Sequence, residues 1–245
     1  MGNVALVTGG SGGIGSEICR RLADDGCTVY VGYAGNKERA DKLADELPGL
    51  SHESIHCDVT STESLDAVAL EIQEMHGELD VLINCGGVTR PVPHTDLVGL
   101  DDELIDWIFR VNWRGPFATI RAMEAVLRAA ESPVVVNISS IAAVTGVGSN
   151  VAYCASKAAL DSMTRSLARA LAPDIRVVSV SPGWVLGEYA AKADPAMLQA
   201  QVDATPLGAL ATPADVAAAV SAVIYHLPMT TGSIIPVDGG RPLGT

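Results

Sequence analysis

The feature that most constrains this chain is a regular alternation of short β-branched runs with longer amphipathic stretches, from one end to the other. Strands are predicted near Val4–Thr8, Thr28–Tyr33, Ser54–Cys57, Val81–Ile83, Val134–Ile138, Arg176–Ser181 and Ser233–Pro236. Helices are predicted over Ile14–Asp25, Lys37–Glu46, Ser61–His76, Asp101–Ala130, Val151–Leu171 and Pro213–His226. Most strands are continuous apolar runs, as expected when helices cover both faces of a sheet. The alternation therefore predicts an α/β fold with a doubly wound parallel sheet.

Composition narrows the classes of partner. The chain has 245 residues, of which 48% are hydrophobic, enough for one large α/β domain. Its 16 basic and 29 acidic residues give a net charge of −13, which disfavours nucleic acid and anionic membranes as partners. No apolar run is long enough for a membrane span, and the N-terminus enters a strand without a basic secretory leader. The five scattered cysteines lack a metal-ligand spacing, so we expect a reduced cytoplasmic setting and no metal site.

A strand, a glycine-rich turn and the apolar start of a helix follow one another at the N-terminus. Glycines allow a pyrophosphate to approach the backbone, and a helix N-terminus supplies N–H donors and a positive dipole end. The alternative is a tight turn without a ligand. Because the turn lies in the first strand–helix unit, the pattern favours a dinucleotide site. The residues assigned to it are Gly9, Ser11, Gly12, Gly13, Ile14 and Gly15.

Tyr153 and Lys157 are four residues apart in a predicted helix, so their side chains share one face. A lysine cation about 4 Å away would stabilise a phenolate by roughly 4 kcal/mol at an effective dielectric near 20. That energy corresponds to about three pKa units, enough to bring a phenol near the working range of a general acid or base. Taken alone, such a pair is more often a packed tyrosine beside a solvated lysine, and only the other motifs of the chain favour the catalytic interpretation.

Several further motifs occur in the same order as in a known family. They are Thr8-Gly-x-x-x-Gly-x-Gly, Asn84-Cys85-Gly86-Gly87, Ser139-Ser140, Tyr153-x-x-x-Lys157, Pro182-Gly183 and Val237-Asp238-Gly239-Gly240. With these motifs the whole chain resembles the short-chain dehydrogenase/reductase family. The resemblance implies a single Rossmann-type domain, residues 1–245, with a seven-stranded parallel sheet and a substrate flap at about 184–205.

The resemblance also implies the catalytic residues. Tyr153 would be the general acid/base, Lys157 would lower the pKa of Tyr153 and hold the nicotinamide ribose, and Ser140 would donate a hydrogen bond to the substrate oxygen. Asn112 matches the asparagine that holds a water in the proton relay, although a buried amide that satisfies the backbone is the alternative. These roles agree with the chemistry, because hydride transfer to a carbonyl leaves an alkoxide that hydroxyl groups can stabilise and protonate.

The end of the second strand indicates the cofactor. In the family an acidic side chain there selects NAD, whereas this chain has Tyr33-Ala34-Gly35-Asn36-Lys37. Tyr33, Asn36, Lys37 and Arg39 could accommodate a phosphate, so NADP(H) is preferred over NAD(H). The alternative is that Lys37 and Arg39 are solvated residues at the start of a helix. The remaining cofactor residues implied by the resemblance are Asp58, Val59, Asn84, Gly86, Pro182, Gly183 and Val185. Asp58 could instead be a turn or cap residue.

The expected reaction is the NADP(H)-dependent interconversion of a ketone or aldehyde and an alcohol on a small-molecule substrate. The best-known relatives reduce 3-oxoacyl groups on acyl carrier protein, and this is the first alternative. However, Glu131 and Pro173-Asp174 stand where such reductases carry arginines for an acidic carrier. A second alternative is a non-catalytic dinucleotide sensor. Residues 86–96, 142–150 and the flap would shape the substrate site.

The two longest predicted helices, Asp101–Ala130 and Val151–Leu171, carry apolar residues on more than one face. One face of each helix must cover the sheet, and the other needs a second partner. The family resemblance implies that these helices pair across a two-fold axis. We therefore expect a homo-oligomer, specifically a homotetramer, with large apolar interfaces.

Overall fold

The computed structural model describes residues 2–49, 51–187 and 194–243. Seven parallel strands form one sheet in the order β3-β2-β1-β4-β5-β6-β7. The strands are β1 (Val4–Thr8), β2 (Thr28–Tyr33), β3 (Glu53–His56), β4 (Val81–Asn84), β5 (Val134–Ile138), β6 (Arg176–Pro182) and β7 (Ile234–Val237). The strand order reverses between β1 and β4, and ligands of doubly wound sheets bind at the carboxyl ends of the strands beside this point.

Helices cover both faces of the sheet, as the alternating pattern predicts. They are α1 (Gly13–Asp24), α2 (Lys37–Glu46), α3 (Thr62–Met75), α4 (Asp102–Phe109), α5 (Gly115–Ala129), α6 (Ala142–Thr145), α7 (Val151–Leu171), α8 (Pro195–Asp203) and α9 (Pro213–Tyr225). A 3₁₀ turn at Arg241–Leu243 follows β7. The fold class is therefore the predicted one, a doubly wound α/β domain.

The predicted helix Asp101–Ala130 is not a regular α-helix. A π-helical turn at Arg110–Arg114 separates α4 from α5 and has Asn112 at its centre. Buried Asn112 hydrogen-bonds the backbone of Val88 rather than its own helix. Single π turns interrupt α-helices without ending them, which explains why apolar periodicity predicts one long helix here.

Two helices are missing from the sequence prediction. The short α6 follows β5, and α8 lies within the predicted flap 184–205. Asp194 caps α8 by accepting from the backbone N–H of Ala196, but α8 buries none of its side chains. An apolar pattern therefore could not predict α8. Residues 188–193 of the flap lie outside the described residues.

The two faces of the sheet differ at its carboxyl edge. On the face covered by α1, α2 and α9, the strands stay apolar to their ends, as in Val136 and Ile138 of β5. On the face covered by α3, α5 and α7, the strands begin apolar and end polar. Because side chains alternate along a strand, this second face carries a set of buried polar side chains that we call the polar seam. Its members are Thr8, Asn84, Asn137, Ser139, Ser179 and Ser181.

Candidate active site

The glycine turn after β1 is a tight backbone cradle. Gly9 has φ +63°, and a Cβ there would lie 2.7 Å from the Gly86 Cα atom. A Cβ on Gly15 would lie 2.3 Å from the Gly9 carbonyl oxygen. By contrast, a Cβ on Gly13 would meet nothing within 4 Å. The first two glycines are therefore required by the fold itself, whereas Gly13 leaves open space above the first turn of α1.

The N-terminus of α1 offers unpaired donors to that space. Gly12 is the N-cap residue and provides no side-chain cap, whereas α2, α3, α4, α7, α8 and α9 each have one. The first N–H groups of a helix have no partner within the helix. An uncapped first turn flanked by glycines, with Ser11 and Ile14 in the same turn, fits a pyrophosphate group.

The residues after β2 are engaged with each other. Asn36 caps α2 by accepting a 2.9 Å hydrogen bond from the Arg39 backbone N–H. Lys37 Nζ lies 2.8 Å from a carboxylate oxygen of Asp41, and the Lys37 side chain is 65% exposed. Tyr33, at the end of β2, makes an edge contact with His56 at 5.6 Å between ring centroids. No acidic side chain stands between Tyr33 and Lys37.

A surface cavity of about 200 Å³ opens between the glycine turn and α2. Three basic side chains line it, Arg20, Arg39 and Lys42, together with Ser11, Ser16, Leu43 and Glu46. This combination of cations and hydroxyl groups beside the turn is suited to an anion. Sequence reasoning names Lys37 ahead of Arg39, but of these two only Arg39 lines the cavity.

Asp58 lies in the turn after β3. Its Oδ1 atom accepts from both the backbone N–H and the hydroxyl of Thr60, at 2.8 and 2.7 Å. The Thr60 hydrogen bonds hold the pKa of Asp58 below its usual value. Val59 packs against the start of α5, since a Cβ on Gly115 would lie 2.7 Å from it. Within the protein, Asp58 therefore makes the contacts of a turn residue, which is the alternative that the sequence leaves open.

The end of β4 is tied to its neighbours by side chains. The Thr8 hydroxyl accepts from the backbone N–H groups of Cys85 and Gly86, at 3.2 and 3.3 Å. Asn84 donates to Asn137 Oδ1 at 2.9 Å, and its own Oδ1 is buried without a partner. These contacts fix the path of residues 84–87 past the glycine turn.

Asn112 holds the next stretch of this segment. Its side-chain amide both accepts from and donates to the backbone of Val88, at 2.8 and 2.9 Å, and it donates to the Ser156 hydroxyl. A Cβ on Gly87 would lie 3.4 Å from Asn112 Oδ1 and 3.7 Å from Lys157 Nζ. Asn112 and the lysine therefore lie on the same side of this glycine.

Helix α7 presents the tyrosine–lysine pair. Asn150 caps the helix by accepting from the Tyr153 backbone N–H at 2.7 Å, and it donates to the Arg90 carbonyl. Lys157 Nζ lies 5.9 Å from the centroid of the Tyr153 ring and donates to the Ile138 carbonyl at 2.8 Å. Burial lowers the pKa of Lys157 to about 8, while Cys85 and Asp161 oppose this shift. The lysine thus joins α7 to the end of β5.

Ser140 lies two residues beyond Ile138, on the loop that leaves β5. Its hydroxyl oxygen accepts from the Ala142 backbone N–H at 3.2 Å, and the residue is partly exposed. Ser139 is instead buried in the polar seam. The chain therefore presents Ser140, not Ser139, on the solvent side of the site.

Three predicted residues lie at the end of β6. Pro182 ends the strand, and the Gly183 backbone N–H donates to the Val237 carbonyl at 3.0 Å. Val185 forms an isolated parallel bridge with Ala211. A Cβ on Gly183 would lie 3.0 Å from the Asp238 Cα atom, so this glycine is needed for close backbone packing.

The loops that would face a substrate are fastened to each other. The Val92 backbone N–H donates to the Ser149 carbonyl at 2.8 Å, and a ring nitrogen of His94 lies 3.2 Å from the Gly148 carbonyl oxygen. Arg90 pairs with Asp101 at 3.1 Å, so its guanidinium has a partner within the protein. These contacts agree with a structural role for Arg90 and His94.

Sequence reasoning misses three residues of this region. Thr8 and Ser139 belong to the motifs but have no assigned role there, and Asp161 lies outside every motif. Asp161 is one helical turn beyond Lys157 and is buried. The available signal is an acidic residue at the apolar position of a helical pattern, four residues after the lysine.

Within the described ranges, no group of three or more His, Cys, Asp or Glu residues is arranged to hold a metal ion. None of the helices in the same part of the chain is long and apolar enough to cross a membrane. All five cysteines are free thiols.

Comparisons with known proteins place this chain in a family. A family model described as enoyl-(acyl carrier protein) reductase matches residues 9–241. The chain is 35% identical over 243 residues to a Streptomyces violaceoruber protein assigned as ketoacyl reductase 2 of the granaticin polyketide synthase, covering 98% of this chain and 96% of that protein. It is 33% identical over 244 residues to carbonyl reductase family member 4 of Danio rerio, covering 99% of each chain.

A crystal structure assigned as a short-chain dehydrogenase/reductase from Burkholderia xenovorans superposes with a TM-score of 0.90 at 31% identity, covering 99% of both chains. The motifs, the strand order and these similarities agree over the full length of the described fold. The chain belongs to the short-chain dehydrogenase/reductase family and is an oxidoreductase that acts on CH–OH groups.

Proposed function

We propose that this protein interconverts a ketone or aldehyde and the corresponding alcohol on a small-molecule substrate, with NADP(H) as its cofactor. The observation that carries the proposal is the position of Lys157, which is buried beneath Tyr153 and joined to the end of β5 beside Ser140. This arrangement gathers a phenol, an ammonium and a hydroxyl at the carboxyl edge of the sheet, next to the glycine cradle.

Each residue has a distinct task. The nicotinamide supplies or accepts the hydride when NADP(H) is bound in the cradle. Ser140 donates a hydrogen bond to the substrate oxygen, and Tyr153 exchanges a proton with that oxygen. The cation of Lys157 favours the phenolate form of Tyr153 and is placed to hold a ribose hydroxyl. Asn112 fixes the backbone of Val88 beside the lysine, and we assign it a positioning role.

The preference for NADP(H) rests on charge. No acidic residue lies between Tyr33 and Lys37, and Arg20, Arg39 and Lys42 outnumber the single carboxylate of Glu46 in the neighbouring cavity. Replacing Arg39 with alanine should raise the KM for NADPH about tenfold and leave that for NADH nearly unchanged, because a phosphate contact is lost. Lys37→Ala is the matched control, since Lys37 pairs with Asp41, and it should have a much smaller effect. Equal effects on both cofactors would contradict the preference.

A diffusible substrate is favoured over a carrier-bound acyl group. Arg128, at the end of α5, is already paired with Glu124 at 2.9 Å and also with Asp174. With a net charge of −13, the protein would repel an acidic carrier at long range. Two similar proteins are named as a ketoacyl reductase and a 3-oxoacyl-[acyl-carrier-protein] reductase. For this reason, reduction of a carrier-bound acyl group is the second candidate.

A panel of ketones, aldehydes and alcohols, each assayed with both cofactors by absorbance at the nicotinamide band, tests the proposal. It should include a 3-oxoacyl thioester both free and attached to acyl carrier protein. Turnover of the free compounds with NADPH supports the proposal. Turnover of the carrier-bound thioester alone would identify the second candidate, and NADPH binding without any turnover would favour a sensor.

We also propose a homotetramer. On the outer side of the helical run 102–129, Trp113 and Phe117 stack at 6.4 Å between ring centroids and remain 37% and 38% exposed. Aromatic groups exposed together on one helix face are typical of a protein interface. Light scattering at micromolar concentration should give about four times the 25.3 kDa mass of the chain. A mass of one chain would reject the tetramer.

A further inference from the structure

The inward face of α7 buries two opposite charges. Lys157 and Asp161 are only 6% and 3% exposed, and across residues 2–49, 51–187 and 194–243 no other acidic or basic side chain is buried. They are four residues apart in a helix, so they are neighbours on one face. An isolated buried charge is strongly disfavoured. One cation and one anion are therefore buried on adjacent turns of the same helix, and each can offset the cost of burying the other.

The surroundings of Asp161 leave it incompletely paired. Its Oδ1 atom and the hydroxyl of Ser139 are both buried without a hydrogen-bond partner of normal geometry. Burial raises the pKa of Asp161. Four groups oppose this shift: the hydroxyl of Ser139 just after β5, the Arg165 charge, the hydroxyl of Ser179 in β6 and the Lys157 charge. Arg165 lies on the solvent side of α7.

Among the residues that the structure describes, the groups recorded around Lys157 include no anion other than Asp161. Its ammonium group contacts the Ile138 carbonyl from β5, the Tyr153 ring lies one turn earlier on α7, and the Cys85 thiol approaches from the end of β4. Burial raises the pKa of Cys85 to about 12, so this thiol is neutral at physiological pH. Within the described part of the chain, Asp161 is therefore the group left to offset the buried cation.

We propose that Asp161 is a positioning residue that keeps Lys157 protonated, so that the ammonium group stays available to Tyr153 and to the cofactor. Asp161 touches no reacting atom and acts through the lysine. The catalytic meaning of the pairing rests on the proposed function, whereas the effect on Lys157 is a property of the protein alone.

The chain has only four lysines, Lys37, Lys42, Lys157 and Lys192. Protein labelled with ¹³C-lysine therefore gives few side-chain signals to follow by NMR as the pH is raised, and Lys157→Arg identifies the signal of Lys157 by its loss. In Asp161→Asn the pKa of Lys157 should fall by about one unit, because the buried anion is removed. Asp161→Glu, which keeps the charge, should restore most of the wild-type value.

Asp41→Asn is the matched control. Asp41 stands at the same four-residue spacing from Lys37 on α2, but that pair is exposed. This variant should affect the Lys37 signal alone. An unchanged pKa of Lys157 in folded Asp161→Asn would overturn the proposal, whether or not the protein reduces carbonyls.

If Asp161→Asn does not fold, the unmodified protein still decides. The ¹³C signal of the Asp161 carboxyl should show an inflection at the pH where Lys157 titrates, and absence of that inflection would overturn the pairing.

A functional experiment measures NADPH affinity against pH by fluorescence. NADPH affinity should fall as the pH is raised, and in Asp161→Asn this fall should occur at lower pH than in the wild type. In a Lys157→Arg background Asp161→Asn should not move the fall, because arginine stays charged. A shifted Lys157 with unchanged NADPH binding would support the pairing and contradict the proposed role of the lysine.

Discussion

The two faces of the sheet are built from the same strands but meet their helices differently. Under α1, α2 and α9 the contact is apolar to the carboxyl edge, whereas under α7 it turns polar over the last residues of each strand. In β5, Val136 and Asn137 are adjacent and point to opposite faces. The contribution of the apolar face is to the stability of the fold and not to the chemistry. The polar seam lets a helix carry a buried cation and a buried anion to the site, at a cost in stability.

The largest test of this contrast compares two phenols. Tyr153→Phe should lower kcat by about 10³-fold and leave NADPH affinity within a few-fold, because the hydroxyl acts on the transition state. Tyr225→Phe is the control on the apolar face, where the hydroxyl meets the Cys27 thiol at 3.0 Å. It should leave kcat unchanged. A Tyr153→Phe variant that retained most of its turnover would overturn the assignment of the general acid/base.

The next largest effect is a pH dependence that has opposite signs for the stability of the fold and for NADPH affinity. The folded pKa of Lys157, about 8, is below its ordinary value of 10.5. Between these limits the unfolded chain binds more protons than the folded one, so this residue adds stability as the pH rises. Over the same range NADPH affinity should fall, because the cation is lost.

Chemical denaturation of wild type and Lys157→Met at pH 7.5 and pH 10 isolates the stability effect. The wild type should gain about 2 kcal/mol relative to the variant between these two pH values. Fluorescence titration of NADPH gives the opposite trend for the wild type. A relative stability that did not change with pH would contradict the burial of a charged lysine.

Adjacent substitutions in β5 make a smaller comparison. Val136→Ala should lower the free energy of unfolding by about 2 kcal/mol, through lost burial and a cavity, without a change in kcat. Asn137→Ala leaves Asn84 and Thr164 without their 2.9 Å partners and should cost about 1–3 kcal/mol. It should also lower kcat, since Asn84 begins the segment that runs beside Lys157. Equal kcat values in both variants would remove the functional distinction between the faces.

The smallest effect is expected away from both faces. Asp41→Asn removes the exposed partner of Lys37 and should change neither Tm nor kcat measurably, because exposed ion pairs are screened by solvent. A clear change of NADPH affinity in this variant would show that the Lys37–Asp41 pair contributes to the cofactor site.

The strands and the glycine turn after β1 could be predicted from sequence because their signals are local. Predicted and observed strands agree to within about one residue, as for β3, which is Glu53–His56 rather than Ser54–Cys57. The glycine turn likewise follows from residues next to each other. The limits of regular elements depend on caps and neighbours, so an error of one residue is expected.

Other features depend on contacts across the fold. The π turn lies where Asn112 reaches Val88, and the hydroxyl groups of Ser139 and Ser179 lower the pKa of buried Asp161. Neither partner is near in sequence. The roles of Asn36 and Lys37 could not be settled either, because a residue that can bind phosphate can equally cap a helix or pair with the next turn.

The π turn at Arg110–Arg114 has a consequence for inheritance and engineering. It is equivalent to one extra residue in an otherwise continuous helix, and each residue of an α-helix turns the chain by about 100°. The widened turn absorbs this 100°, so the halves before and after it face as they would in a regular helix one residue shorter. Deleting a single residue there would therefore restore a regular helix and leave Trp113 and Phe117 on the outer surface. The same deletion would remove the widened turn from which Asn112 reaches Val88, so the extra residue matters to the site and not to the outer face.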